Sequence, residues 1–143
     1  MMIEQARHLF CNDRFATELT GIRIVAVAPH FAQCELSVES SHRNAMGGVM
    51  GGAIFTLADF AFAIAANTDC FDDGTLCWVS TTSTIAYLNN TADNKLTAKT
   101  HCLKQGRNSC SYEITVTDST DKAIATILTQ GAKIPTPKTA LTQ

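Results

Sequence analysis

The segment from Val49 to Asn67 constrains the fold more than any other part of the chain. Ile54, Leu57, Ala58, Ala61 and Ala65 fall at i, i+3, i+4, i+7 and i+11, the spacing of one helical face. Phe55, Phe62, Ile64 and Ala66 fill the other sides, so the predicted helix is apolar nearly all round and has no face to offer to water. Gly47, Gly48, Gly51, Gly52 and Asp59, with the shortness of the uninterrupted apolar run, argue against a membrane span. The rest of the chain must therefore cover this helix.

The cover is predicted to be β-structure. Gly21 to Val27 and Phe31 to Val38 roughly alternate apolar and polar residues, with Ala28-Pro29-His30 as the turn of a hairpin. After the turn Asp72-Asp73-Gly74 come Leu76–Leu88, Lys95–Lys104, Arg107–Thr117 and Lys122–Lys133, crowded with Thr, Val, Ile and Tyr. Asn89-Asn90, Gln105-Gly106 and Asp118–Asp121 separate them with turn chemistry, so consecutive hairpins and antiparallel pairing are expected. A short helix over residues 3–11, followed by a polar turn at Asn12 and Asp13, is expected to cover an edge or end. Two strands, one buried helix and four more strands give an α+β fold, an antiparallel sheet of about six strands wrapped round one helix. Residues 1–134 are expected to form one domain and 135–143 a flexible tail.

Composition narrows the function. The 143 residues are 45% apolar and 17% charged, which excludes disorder as the main state and leaves a weakly charged surface that a second copy can cover. A net charge of −2, from 11 Lys and Arg against 13 Asp and Glu with no basic run, argues against a nucleic-acid partner. The N-terminal stretch lacks an apolar signal region, so a cytosolic protein is expected. Six cysteines without a C-x-x-C pair read as small buried hydrophobes rather than ligands or bridges. Four dispersed histidines give no metal-site spacing, and neither a metal nor a redox cofactor is expected.

Two features suggest chemistry. Asp59 is the one ionisable residue in the apolar helix, and a carboxylate there costs several kcal/mol without partners. It reads as a catalytic group, or as a carboxylate at a solvent gap or one paired with Arg43 or Lys104. The run from His42 to Gly52 places glycines at a helix start, where a ligand can reach unpaired N–H groups, although such a run can also be a tight turn.

Together these residues resemble the hotdog-fold thioesterases, in particular the phenylacetate-pathway (PaaI-like) subgroup of the 4-hydroxybenzoyl-CoA thioesterase superfamily. In that subgroup an Asn lies seven residues before the first Gly of a His-Gly-Gly motif and an Asp eight residues beyond it. Asn44, Gly51 and Asp59 fall on those positions. Ile85-Ala86-Tyr87-Leu88 looks like the family's strand after the helix, which puts Ser80 at its fourth polar active-site position. Lys104, Gly106 and Arg107 resemble the turn the family sets beside coenzyme A. The sequence departs from the pattern at Met50, where the family has His.

The resemblance implies an acyl-CoA thioesterase that releases free acid and CoA. Asp59 would act as base or nucleophile, the Gly51 N–H as oxyanion donor, Asn44 as water holder and Ser80 as orienting group. Alternatives are a non-catalytic acyl or acyl-CoA binding module, a hotdog dehydratase lacking its helix His, or a purely structural dimer. Phe55, Phe62, Phe71 and Trp78 are candidates for the acyl pocket. Gly51 and Asp59 are eight residues apart, about 12 Å along one helix, too far to touch one carbon. If both act on one substrate they come from two chains, so a homodimer, and possibly a dimer of dimers, is expected.

Overall fold

The computed structural model describes residues 1–135; the expected tail, apart from Pro135, lies outside the described residues. Helix α1 spans Met2–Leu9 and a π-helical turn follows at Phe15–Thr20. Strands β1 (Ile22–Ala28) and β2 (Phe31–Ser37) form the first hairpin, and His30 takes the turn at φ 55°. A 3-10 turn at Ser40–His42 leads through a glycine loop into helix α2, Gly51–Ala66. A second 3-10 turn, Thr68–Asp73, precedes β3 (Trp78–Tyr87), β4 (Lys95–Gln105), β5 (Ser109–Asp118) and β6 (Ala123–Lys133). The strands form one antiparallel sheet in the order β1-β2-β4-β5-β6-β3, with α2 packed on it: this is the hotdog fold.

Two expectations are corrected. β3 and β4 do not form a hairpin, because β3 lies at the sheet's far end, antiparallel to β6, while β4 inserts between β2 and β5. Turn residues at Asn89-Asn90 mark a break in the chain but not which strand comes next to which. Cys70 and Cys77, read as unbridged, are joined by a disulfide with Cα atoms 6.6 Å apart. The 3-10 turn and Gly74, at φ 67°, reverse the chain and bring together two cysteines that sequence spacing alone did not connect.

The sheet covers α2 on all sides but one. Ile54, Leu57, Ala58, Phe60, Ala61, Phe62 and the run from Ile64 to Ala66 are buried, whereas Gly52, Thr56, Asp59 and Ala63, one helical stripe, remain partly open. Two features fix the seat of the helix. At its C-terminal end, the buried Asn67 side chain accepts from the N–H groups of Cys77 (2.7 Å) and Trp78 (2.8 Å) and donates to the carbonyls of Ala63 (2.8 Å) and Trp78 (3.2 Å). All four hydrogen-bonding positions used on the amide tie the end of α2 to the start of β3. On β6, Gly131 admits the helix: a Cβ there would stand 2.9 Å from Phe62 Cζ and 2.8 Å from the Val79 carbonyl. Gly131→Ala should therefore destabilise the fold by about 1–3 kcal/mol, read as a lower urea midpoint at unchanged slope.

Candidate active site

Asp59 opens onto a cleft of about 920 Å³ between α2, the start of β3 and the segment that leaves α1. Ser80, Trp78 and Phe62 line it too, with Leu9, Leu76 and Ile134 supplying further apolar wall. Ser80 pairs with Gly131, whose missing side chain would meet Phe62, and so lies on the cleft side like Trp78 two residues before it; the register shift comes only after it, between Ser80 and Thr82. Of the four aromatic candidates, Phe62 and Trp78 reach the cleft. Phe71 is buried against Phe10, and Phe55 lies elsewhere on the helix.

Asp59 has no ion pair and no hydrogen-bond partner among the described residues, so the structural pairing with Arg43 or Lys104 does not occur. Arg43 is used elsewhere: its guanidinium donates to the carbonyls of Gly47 (3.1 Å) and Asp93 (3.1 Å), clamping the glycine loop. Burial in the cleft pushes the Asp59 carboxyl above its usual value, and the charge of Asp13 adds to the effect.

Around the start of α2 the loop is tightly held. The Asn44 carboxamide oxygen accepts from the N–H groups of Met46 (3.0 Å) and Gly48 (3.1 Å), and its backbone N–H donates to the Gly48 carbonyl (2.8 Å). Gly47 sits at φ 83°, where a side chain is strained. His42 anchors the other flank, its Nδ1 accepting from Glu39 N–H (2.9 Å) and its Nε2 bonded to the Thr20 carbonyl (2.8 Å). Met50 occupies the N-cap without a side-chain cap and the first turn has no acidic residue, so the first N–H groups of α2, Gly51 among them, find no partner in the helix. The Tyr87 hydroxyl donates to the Gly51 carbonyl (3.1 Å) and leaves no room for a Cβ. Asn44 thus shapes the loop that presents the Gly51 N–H, and only its Nδ2 remains for a ligand.

The basic turn joins β4 to β5. Lys104 and Arg107 are exposed there, and the Gly106 N–H bonds the Ser109 carbonyl (2.8 Å). Gln105 between them donates to the Ala66 carbonyl (3.1 Å) and accepts from the Tyr112 hydroxyl (2.6 Å), pinning the turn to the C-terminal end of α2. Within one chain the candidate residues therefore form three groups along the helix: Asn44 and Gly51 at its start, Asp59 with Ser80 near its middle, and the basic turn at its end. Asn67 and Asp13 were not singled out from sequence. An Asn ending an apolar helix is a common cap, and a lone Asp after a short helix carries no motif. Among the described residues no three His, Cys, Asp or Glu side chains gather to hold a metal, and no helix is long and apolar enough to cross a membrane.

Comparison with known proteins shows the family and the fold. The sequence profile of the Thioesterase superfamily matches residues 46–125, and the chain belongs to that family. It is a thioester hydrolase of the PaaI-like hotdog type. It is 34% identical over 120 residues to human acyl-coenzyme A thioesterase 13, covering 82% of this chain and 80% of that one. With the acyl-coenzyme A thioesterase PaaI of Escherichia coli it shares 31% identity over 123 residues, 85% of this chain and 84% of the relative. The solved structure of the E. coli PaaI protein from the phenylacetic acid degradation operon superposes with a TM-score of 0.83 at 25% identity, covering 95% and 98% of the two chains.

The raised Asp59 pKa has a consequence for stability. A folded-state value above the ordinary 3.8 means that the fold holds the proton more tightly than the unfolded chain, so Asp59 weakens the fold as pH rises through its folded value. Asp59→Asn should raise the melting temperature at neutral pH, and the gain should shrink as pH is lowered toward 3.8. Calorimetry of both proteins across that range checks it.

Proposed function

We propose that the protein is an acyl-CoA thioesterase whose two equivalent sites are each built from two chains. The observation that carries the reading is an unpaired, partly buried carboxylate, Asp59, in a cleft that Ser80 also lines, on a helix that starts with bare N–H groups. Both curated relatives named above are called acyl-coenzyme A thioesterases, which supports coenzyme A as the carrier.

Strand β3 supports the dimer. This strand is an edge of the sheet, exposed over most of its length on both faces, and carries neither a charged residue nor a proline. Edge strands that stay unpaired are normally protected by such residues. A second β3 related by a twofold axis would close the edge in antiparallel fashion and cover the open stripe of α2 with the partner's helix. Because the two helices would then run antiparallel, the Gly51 end of one meets the Asp59 region of the other, removing the 12 Å obstacle set by about 1.5 Å per residue. The same arrangement brings Lys104, Gly106 and Arg107 of one chain toward the partner's Gly51, where the two cations can hold CoA phosphates.

In this site Asp59 takes a proton from a water that Ser80 orients, and the resulting hydroxide attacks the thioester carbon. The carbonyl oxygen gathers negative charge against the partner's Gly51 N–H, at the positive end of α2. The C–S bond then breaks, the CoA sulfur leaves as thiolate and takes up a proton, and free acid remains. Met50, where the family has His, contributes to the helix start through its backbone, donating to the His42 carbonyl at 2.7 Å.

Thiol release from short, medium, long and aromatic acyl-CoAs tests the proposal. Turnover of at least one class is expected, and Asp59→Ala should lower kcat/KM about a hundredfold or more while the fold persists. Near-normal rates in that variant would remove Asp59 from the mechanism, and binding without thiol release would make the protein an acyl-CoA binding module.

A further inference from the structure

The cleft that exposes Asp59 has a second wall which the family match does not include. Residues 8–13, outside the matched span of 46–125, supply His8, Leu9, Cys11, Asn12 and Asp13 to its lining. We propose that Asp13 is a positioning residue for the reaction: its carboxylate, sharing the cleft with Asp59, holds a negative charge near the reacting carboxylate and makes it a stronger proton acceptor. This rests on the reading of Asp59 as the base.

The geometry holds Asp13 in place by its main chain rather than its side chain. Its carbonyl accepts from the Thr17 N–H (2.9 Å) and the Thr17 hydroxyl (3.1 Å) at the start of the π-helical turn. Its carboxylate makes no ion pair and accepts no hydrogen bond among the described residues, so its charge is not neutralised locally. The groups facing Asp59 can be counted element by element. From α1 comes His8, from the following turn Cys11 and Asp13, and from β3, the loop before it and the end of β6 only uncharged residues such as Thr75, Ser80 and Ile134. Within the chain no described Lys or Arg lines the cleft, and Asp13 is the one other carboxylate in its lining. Two carboxylates lining one cleft disfavour the doubly charged state, although Asp13 stands at its exposed rim and Asp59 is half-buried, and partial burial pushes both upward. A base whose protonation lies closer to the working pH is the more effective one, so the charge of Asp13 raises the rate above the acid limb and moves that limb to higher pH.

The test reads Asp59 directly. In protein carrying 13C-labelled aspartate, the Asp59 carboxyl resonance, assigned by its loss in Asp59→Asn, is titrated in wild type, Asp13→Asn and Asp13→Glu, with thiol release measured on the same samples. Asp13→Asn is nearly isosteric and leaves the backbone bonds to Thr17 in place. The Asp59 midpoint should fall in Asp13→Asn and return in Asp13→Glu, while the plateau rate of Asp13→Asn drops roughly threefold or more. An Asp59 midpoint identical in wild type and Asp13→Asn would overturn the proposal, as would a lower midpoint with an unchanged plateau. Absence of turnover in wild type itself would instead defeat the thioesterase reading, while the titration would still decide whether Asp13 acts on Asp59.

Discussion

The structure depends on burying a helix that has no polar side. Nine residues of α2 are buried, and the sheet must curve round them because no flat layer can reach so much of one helix. Fully burying a Leu, Ile or Phe side chain contributes about 1.5–3 kcal/mol relative to leaving it exposed, so Ile54, Leu57, Phe60, Phe62 and Ile64 together form a large part of the driving force for the fold. The remaining elements are set by this demand. Gly131 lets β6 close onto Phe62, and Asn67 fixes where β3 must begin once the helix ends.

The proposed site lies on the stripe of α2 that the sheet leaves partly open. Asp59 lies there without a partner, which opposes the burial that organises everything around it. The Asn67 amide locks the backbone at Trp78, and two residues later Ser80, still in register opposite Gly131, lines the same cleft as Asp59. Scaffold and proposed site thus share their parts: the bonds that end the helix also set the start of the strand that brings Ser80 to the cleft. At the other end, Asn44, Arg43 and His42 spend their hydrogen bonds on holding a loop, and the product of that effort is a helix start whose N–H groups face outward.

Much of this was legible in the sequence. The helix and all six strands stand within two residues of the positions that periodicity and turn chemistry indicated, because burial patterns repeat locally along the chain. The spacing of Asn44, Gly51 and Asp59 placed two of them at the start of one helix and the third along it. Long-range choices were not legible. The position of β3 beyond β6 depends on where the chain crosses the sheet after Tyr87, and the pairing of Cys70 with Cys77 depends on a reversal at Gly74. Asp13 shares a cleft with Asp59 only because the segment after α1 lies over it, a juxtaposition of residues 46 positions apart that no local pattern encodes.

The central claim is that each site is shared between two chains, and subunit mixing tests it most directly. Asn44→Ala, which loosens the loop presenting Gly51, and Asp59→Ala, which removes the carboxylate, damage opposite halves of a shared site. When equal amounts are unfolded and refolded together, about half the dimers are mixed, and each mixed dimer collects both lesions in one site and leaves the other whole. The account predicts recovery of about a quarter of wild-type thiol release, with neither parent showing it. No recovery, with subunit exchange demonstrated on the same sample, would place Gly51 and Asp59 in the service of one chain and contradict the shared site.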